Sequence, residues 1–314
     1  MGRLVVFGAD GFIGKNLVNE LAVNQSNHII AFDRFSSYKN GEKHEFDGHS
    51  NVTIVPGDFF NRSDVENVLN KDDYVFHLVS STNPAASDAD PFIDIDTNIR
   101  SSVELFEICV EKQIKKVIYP SSGGTVYGDI ESDLISEMTP AMPRSPYGIA
   151  KLTIEGYLRY FNFRHDLKYI VYRIANPYGV GQNVYGKQGV IPIFMHKYIS
   201  GEPITIFGNG EMVRDYIYIS DLVNSIAKTF KKANKYSEYN LGSGKGSSIN
   251  ELVEAIESIV GKKIIKKYIP APSTFVEKSV LDNSRFIKEF GIEPKISLTE
   301  GIQKTWEYVN NVYK

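Results

Sequence analysis

The first 175 residues alternate short apolar runs with amphipathic stretches, and this alternation constrains the fold more than any other feature of the sequence. The apolar runs that read as β-strands are Arg3 to Phe7, His28 to Asp33, Asn51 to Val55, Tyr74 to Leu78, Lys116 to Ser121 and Lys168 to Arg173. The stretches with helical spacing are Phe12 to Val23, Ser63 to Leu69, Pro91 to Glu111 and Pro146 to His165. The alternation predicts an α/β fold with a doubly wound parallel sheet, in which ligands bind at the carboxyl ends of the strands.

The pattern changes near residue 176, where glycine and proline become frequent. Further helices are predicted at Val190 to Ile199, Ser220 to Lys232, Ile249 to Val260 and Leu298 to Val312. A chain of 314 residues is longer than one hydrophobic core usually serves. We therefore expect a larger domain over residues 1–175, with a return segment near 214–235, and a smaller C-terminal α/β lobe over residues 176–314.

Composition excludes several classes of protein. The net charge of -3 and the scattered basic residues argue against a nucleic-acid partner, which needs a concentrated basic surface. No apolar run is long enough to cross a bilayer, and a strand at the third residue leaves no room for a signal peptide. The single cysteine, Cys109, suits a reducing compartment. We expect a cytoplasmic protein with no membrane partner and no metal site.

A glycine-rich loop follows the first strand and opens the first helix. Its sequence is Gly8-Ala9-Asp10-Gly11-Phe12-Ile13-Gly14, with two residues between the first two glycines where the general dinucleotide fingerprint has one. Glycines permit a tight turn and let the backbone approach a pyrophosphate, which lies against the positive end of the helix dipole. The loop predicts a dinucleotide site in a Rossmann-type domain.

Acidic residues end the second and third strands. Asp33 stands where a carboxylate accepts hydrogen bonds from an adenosine ribose diol and repels a 2'-phosphate, so NAD is favoured over NADP. Arg34 beside it weakens this choice, because a guanidinium could bind the phosphate instead. Asp58 fits either a contact with the adenine amino group or a simple turn after Gly57. A histidine at the end of the fourth strand, His77, is more typical of a structural residue than of a catalyst.

Tyr147 and Lys151 lie four residues apart at the start of a predicted helix and therefore share one face. Bringing a phenol from its usual pKa near 10 to neutrality takes roughly 4 kcal/mol. A neighbouring ammonium and the positive ring of an oxidised nicotinamide can provide stabilisation of that order in a partly desolvated site. Tyr147 is then predicted to act as a base that takes a proton from a hydroxyl while hydride leaves the same carbon.

Together these residues resemble the NAD-dependent epimerase/dehydratase family of extended short-chain dehydrogenases/reductases, most closely its UDP-glucose 4-epimerase-like members. The resemblance rests on the glycine loop, Asp33, Asp58, His77-Leu78-Val79-Ser80, Asn98, Ser121 to Gly128, Tyr147 with Lys151, Asn176 to Gly179, and Arg214-Asp215-Tyr216. It implies that NAD contacts Gly8, Gly11, Phe12, Ile13, Gly14, Asp33, Arg34, Asp58, Phe59, Leu78, Val79, Ser80, Asn98, Tyr147 and Lys151. It further implies that tightly bound NAD oxidises a nucleotide sugar at C4, and that the 4-keto sugar rotates and takes the hydride back on its other face.

In the family, a Ser or Thr three residues before Val-Tyr-Gly assists proton movement. This chain departs from the family because the corresponding residue is Gly123. If the segment is extended, Thr125 projects to the side of the missing hydroxyl, so we expect Thr125 to be the relay and Ser122 the reserve. Related dehydratases carry an acidic pair before Val-Tyr-Gly, and Gly124-Thr125 cannot replace it. A nucleotide-sugar 4-keto reductase, which would use the same Tyr and Lys, and a dinucleotide-sensing regulator remain as alternatives to the epimerase.

For the C-terminal lobe, the resemblance implies that Asn176 contacts the diphosphate, Val190 and Phe207 lie near the base, and Arg214 binds a phosphate. An internal ion pair between Arg214 and Asp215 is the alternative. The resemblance also implies an Arg near the position of Pro272, and Lys278 is the residue expected to replace it. A UDP-sugar is the favoured substrate. A homodimer is implied too, with apolar surface from Ile99, Val103, Phe106, Leu152, Leu158 and Tyr160, part of which must cover the sheet.

Overall fold

The computed structural model describes residues 2–36, 44–186, 188–272 and 276–313. The strands are β1 (Gly2–Phe7), β2 (Asn27–Asp33), β3 (Val52–Pro56), β4 (Tyr74–His77), β5 (Lys116–Ser122), β6 (Tyr169–Ile174), β7 (Asn176–Tyr178), β8 (Ile204–Phe207), β9 (Val213–Tyr218), β10 (Glu238–Leu241), β11 (Gly246–Ser248), β12 (Lys266–Ile269) and β13 (Lys278–Ser279). The helices are α1 (Phe12–Ala22), α2 (Arg62–Val68), α3 (Pro84–Ala89), α4 (Arg100–Glu111), α5 (Gly123–Val126), α6 (Pro146–His165), α7 (Val190–Ile199), α8 (Ile219–Thr229), α9 (Ile249–Val260), α10 (Ser284–Phe290) and α11 (Leu298–Tyr313).

Seven strands form the main sheet in the order β10-β6-β5-β4-β1-β2-β3. Its pairs β1 with β2, β1 with β4, β2 with β3 and β4 with β5 are parallel. The order of the first six strands is the one typical of dinucleotide-binding sheets, so the predicted doubly wound α/β fold is confirmed. All six predicted strands are present, and β10 is an additional edge strand.

The chain divides into two compact units that are interleaved along the sequence. The first comprises Met1–Ser121, Pro146–Tyr172 and Ile226–Glu238, and the second comprises Ser122–Ser145, Arg173–Ser225 and Tyr239–Lys314. In the first unit a buried apolar cluster joins the strands to α4 and α6. Phe106 and Leu158 belong to this cluster and are fully buried, whereas Tyr160 is exposed, so only part of the expected apolar surface is available to a partner.

The predicted helix from Pro91 to Glu111 is interrupted. Residues Asp94–Ile99 form a wide π-helical turn, and the regular helix α4 begins only after it. A separate short helix, α3, precedes this stretch and starts with Pro84 after the capping side chain of Asn83. A π-helical turn within an α-helix often marks a functional site, because it redirects side chains that a regular helix would leave on another face.

The segment after β5 is not extended as predicted. It forms the single helical turn α5, so successive side chains rotate around an axis instead of alternating between two faces. The geometric reason for choosing Thr125 as the proton relay therefore does not hold, although its residue type remains suitable.

The second unit contains a small sheet in the order β11-β9-β13, with β7 also paired to β9, and a separate parallel pair of β8 and β12. Asp215 on β9 is fully buried and accepts hydrogen bonds from the backbone amides of Ser243, Gly244 and Leu281. This carboxylate ties two loops of the unit, one at Ser243 and Gly244 and one at Leu281, to one strand. In the described ranges of the chain, no helix is both long and apolar enough to span a membrane.

Gly14→Ala is expected to disrupt the start of α1. A β-carbon at residue 14 would lie 2.0 Å from the carbonyl oxygen of Gly8, so the helix must move away from β1. Overpacking of this kind costs about 1–3 kcal/mol or more. Thermal unfolding should give a clearly lower Tm for Gly14→Ala. The control is Gly48→Ala, whose β-carbon meets no atom within 4 Å; equal melting of the two variants would contradict the assignment.

Candidate active site

The glycine loop closes tightly against the ends of two strands. Gly8 has a φ of 85°, and its β-carbon would lie 3.0 Å from the carbonyl carbon of Leu78. Helix α1 starts after Gly11 without a side-chain cap and without an acidic residue in its first turn. The loop is thus a backbone cradle whose first helical amides have no competing side-chain anion, and these features fit the phosphates of a dinucleotide.

Asp33 is held at the mouth of this cradle. Its carboxylate accepts hydrogen bonds from the backbone N–H of Asp10 at 3.0 Å and of Arg34 at 2.7 Å. These bonds fix the carboxylate beside the glycine loop, while the side chain of Arg34 is exposed to solvent. A charge fixed at this point suits recognition of a ribose diol.

The residues after β3 play a larger structural part than the sequence indicated. The Asp58 carboxylate accepts a hydrogen bond from the backbone of Phe60 at 3.0 Å, which is the turn interpretation. Phe59 is buried, with its ring stacked on His77 at 5.0 Å. A cofactor could therefore meet only the main chain of Phe59, and an adenine contact of Asp58 stays a prediction.

His77 is structural in this arrangement. Its Nε2 lies 2.7 Å from the hydroxyl of Ser102, which donates its own hydrogen to the carbonyl of Asn98. Burial lowers the pKa of His77 to about 3, with a smaller contribution from Lys151. The ring is therefore neutral and cannot act as an acid near pH 7.

Tyr147 and Lys151 meet several of the predicted cofactor residues in one small cleft. Its walls are Val79, Ser80, Asp94, Asn98, Tyr147, Ala150, Lys151 and Ile154. Lys151 is buried, and its ammonium lies 5.1 Å from the ring centre of Tyr119 and 5.7 Å from that of Tyr147. Across the part of the chain that the structure describes, this ammonium has no hydrogen-bond acceptor and no carboxylate within 4 Å. A buried ammonium without acceptors fits a site that receives the hydroxyls of a ligand.

Burial dominates the ionisation of both catalytic candidates. It raises the pKa of Tyr147 to about 12, against the lowering effect of a hydrogen bond from Ser80. Burial also lowers the pKa of Lys151 to about 8, while the charges of Asp94 and Glu155 raise it. The sequence predicts that Lys151 together with an oxidised nicotinamide brings the pKa of Tyr147 towards neutrality; in the protein alone burial is the largest influence on this phenol, and the joint effect stays a prediction.

Two carboxylates of this region were not predicted. Glu155 lies one helical turn beyond Lys151, is buried, and accepts a hydrogen bond from Ser121 at 2.5 Å. Asp94 lies one turn before Asn98 and is likewise buried. Spacing of four residues from a predicted site residue was the available signal in both cases.

Gly123 has a steric explanation in the second unit. A β-carbon there would lie 2.5 Å from Cδ1 of Leu281 and 3.0 Å from the carbonyl oxygen of Arg173, so a Ser or Thr would not fit without movement. The hydroxyl of Thr125 is buried and has no hydrogen-bond partner among the residues described. Ser122 is half-buried, and its side chain does not cap α5. Both hydroxyls remain candidates for a proton relay.

The predicted substrate residues of the second unit have different surroundings. The amide of Asn176 donates to the carbonyl of Asp215 at 2.8 Å. Arg214 donates to the carbonyls of Val213 at 2.8 Å and Glu277 at 3.3 Å, and it makes no ion pair with a residue that the structure describes. The alternative of an internal Arg214–Asp215 ion pair is therefore wrong; among the residues described Arg214 forms no ion pair, and the charge of Asp129 acts on it from a distance.

The remaining predicted substrate residues lie at the ends of elements. Val190 begins α7 and Phe207 ends β8, and both are half-buried. Pro272 is exposed. Lys278, the residue expected to replace the family's Arg, already forms an ion pair with Asp133. Among residues 2–36, 44–186, 188–272 and 276–313, no cluster of His, Cys, Asp or Glu could hold a metal ion.

Comparison with known proteins identifies the family. A model described as the NAD dependent epimerase/dehydratase family matches residues 4–242. UDP-glucose 4-epimerase of Mycolicibacterium smegmatis is 32% identical, over 98% of this chain and 99% of that protein. A dTDP-4-dehydro-6-deoxyglucose reductase of Escherichia coli is 33% identical, over 96% of this chain and 95% of that protein. The crystal structure of UDP-glucose 4-epimerase from Thermotoga maritima with UDP-glucose is 35% identical, with a TM-score of 0.91 over 99% of this chain and all of that one. This chain therefore belongs to the NAD-dependent epimerase/dehydratase family of extended short-chain dehydrogenases/reductases.

Proposed function

We propose that the chain is a nucleotide-sugar 4-epimerase that acts on a UDP-hexose by transient oxidation at C4 with tightly bound NAD. The observation that carries the proposal is the cleft that joins Tyr147 and Lys151 to Ser80 and Asn98. A regulator that only senses a dinucleotide would have no need to bury this phenol and this ammonium together. The similarity to UDP-glucose 4-epimerases over nearly the whole chain supports the same conclusion.

In this mechanism Tyr147 takes the proton of the C4 hydroxyl and later returns it. Moving its pKa from about 12 to neutrality requires roughly 7 kcal/mol of stabilisation of the phenolate. Lys151, whose ammonium lies 5.7 Å from the ring centre, is proposed to provide part of this stabilisation. When bound, NAD supplies the acceptor for the C4 hydride and a positive ring that adds to this stabilisation. A hydrogen bond from Ser80 favours the phenolate, because it lowers the pKa of Tyr147.

The second unit is proposed to bind the nucleotide diphosphate. Arg214 is the main candidate for a phosphate contact because it has no carboxylate partner among the described residues and its guanidinium suits a diphosphate. Asn176 is proposed to contact the same group, with Val190 and Phe207 near the base. Thr125 is the first candidate for a proton relay because its buried hydroxyl has no partner in the described structure, and Ser122 is the second.

A 4-keto reductase is the second candidate, supported by the similarity to the Escherichia coli reductase. The two activities differ in their redox balance, since an epimerase returns the hydride and a reductase consumes reduced cofactor. We further propose that the protein works in the cytoplasm, since its buried Cys109 suits a reducing compartment.

Tyr147→Phe is expected to abolish epimerisation while NAD remains bound, because the ring stays and only the proton acceptor is lost. The measurement incubates the protein with a panel of UDP-sugars, without added cofactor, and detects C4 epimers by NMR. Tyr157→Phe, a change to an exposed phenol on the same helix, is the matched control and should keep full activity. Substantial turnover by Tyr147→Phe would overturn the assignment, and net oxidation of added NADH would favour the reductase.

Asp33→Asn is expected to reduce the preference for NAD over NADP by about tenfold, equivalent to about 1.4 kcal/mol, because the charge that repels a 2'-phosphate is lost. Equilibrium binding of both dinucleotides to cofactor-free protein measures the preference. Arg34→Ala provides the comparison, since it should have little effect if Asp33 governs the choice. A wild-type protein that binds NADP as tightly as NAD would refute this role of Asp33.

A homodimer is proposed to form through α6. Ile149, Tyr160 and Phe163 are exposed on one stripe of this helix, and Gly156 on the same stripe leaves room for close approach. Phe163→Glu should convert a dimer to monomers of 35.3 kDa, as measured by light scattering after size-exclusion chromatography. Met138→Glu, at an equally exposed residue of the other unit, should leave the mass unchanged. Identical masses for wild type and Phe163→Glu would count against this interface.

A further inference from the structure

We propose that Asp94 is a positioning residue of the Tyr147–Lys151 centre, and that its carboxylate is the counter-charge that keeps Lys151 an ammonium while water is excluded from the cleft. The inference rests on the proposed function and adds to it a residue outside the predicted site. It concerns an electrostatic role, exerted through Lys151 and Tyr147, without contact with the substrate.

The geometry of Asp94 points to this role. The residue begins the π-helical turn, is 2% exposed, and lines the cleft with Tyr147 and Lys151. One carboxylate oxygen accepts hydrogen bonds from Thr82 at 2.6 Å and from Asn98 at 2.7 Å. The other oxygen is buried and has no hydrogen-bond partner among the residues described. One oxygen of the carboxylate is therefore fixed by hydrogen bonds, and the other oxygen is left for interaction across the cleft.

In the same cleft, the Lys151 ammonium lacks hydrogen-bond partners among the described residues. Its ammonium lines the same cleft and lacks an acceptor among the residues that the structure describes. The Asp94 carboxylate and the Lys151 ammonium are more than 4 Å apart, so they do not form a direct ion pair. They interact electrostatically over this distance or through an intervening hydroxyl or water. A buried ammonium and a buried carboxylate are each unfavourable alone, and together each reduces the cost of the other.

Of the carboxylates that the structure describes, Asp94 is the one whose charge acts on both Lys151 and Tyr147. Glu155 is the other carboxylate that acts on Lys151, and one of its oxygens accepts a hydrogen bond from Ser121. Tyr119, from β5, is buried with a pKa raised well above its usual value, and His77 is neutral. The charge of Asp94 raises the pKa of both Lys151 and Tyr147. It should therefore influence both limbs of a pH–rate profile.

Asp94→Asn removes the charge and keeps an oxygen that can accept from Thr82 and Asn98. Without the charge the Tyr147 phenolate forms at lower pH, and the Lys151 ammonium is lost at lower pH. Both limbs of the profile of kcat for epimerisation should move to lower pH, by about one pH unit. Asp96→Asn, which removes an exposed charge two residues away, should leave the profile in place. Thr82→Val, which removes one hydrogen bond to Asp94 and retains the charge, should change stability without moving the limbs.

A second readout separates this inference from the proposed function. The ultraviolet absorbance of tyrosinate, taken as the difference between the NAD-loaded protein and its Tyr147→Phe variant, follows the ionisation of Tyr147 without any substrate. Asp94→Asn should lower the midpoint of this titration by about one pH unit. If Asp94→Asn fails to fold, Asp94→Ser also removes the charge and keeps an oxygen acceptor, and it should shift the midpoint in the same direction. An unchanged midpoint in the folded variant overturns the role of Asp94, whereas failure of every UDP-sugar to epimerise with a shifted midpoint overturns only the proposed function.

Discussion

The burial of an ammonium that has no hydrogen-bond acceptor among the described residues is the constraint on which the candidate active site depends. Lys151 is held among Tyr119, Tyr147 and the wall of the cleft, where loss of water lowers its pKa to about 8. Such a group is tolerated only if neighbouring charge and incoming hydroxyls compensate it. The doubly wound sheet provides the frame, because at one edge its strands lead into the glycine loop, Asp33 and the segment after β4 that contains Ser80.

The same desolvation explains why the Tyr–Lys pair does not by itself make a base. Burial raises the pKa of the Tyr147 phenol to about 12, and the charge of Asp94 acts in the same direction. A further positive charge in the cleft would favour the phenolate of Tyr147. This arrangement links proton removal to the presence of the oxidised cofactor, which is physically sensible for an enzyme that must return the same hydride it removes.

Most of the fold could be predicted because hydrophobic periodicity reports it directly. The helices α6, α7 and α9 begin and end where spacing predicts, and all six strands of the doubly wound order appear. Shorter elements were missed or misread because a few residues carry no periodicity. Helix α3 spans six residues, the turn α5 spans four, and the π-helical turn is invisible in a pattern that continues through it. Edge strand β10, with four residues, was missed for the same reason.

The sequence by itself determined the residue types and spacings of the chemistry: the glycine loop, Asp33, and the Tyr147–Lys151 pair on one helical turn. Only the tertiary structure decided what surrounds them. It brought Asp94 and Ser80 to the same cleft, left Arg214 without a carboxylate among the described residues, and filled the space beside Gly123 with Leu281. The physical reason is that spacing along one element is local, whereas burial, steric exclusion and electric fields depend on neighbours that are distant in the chain.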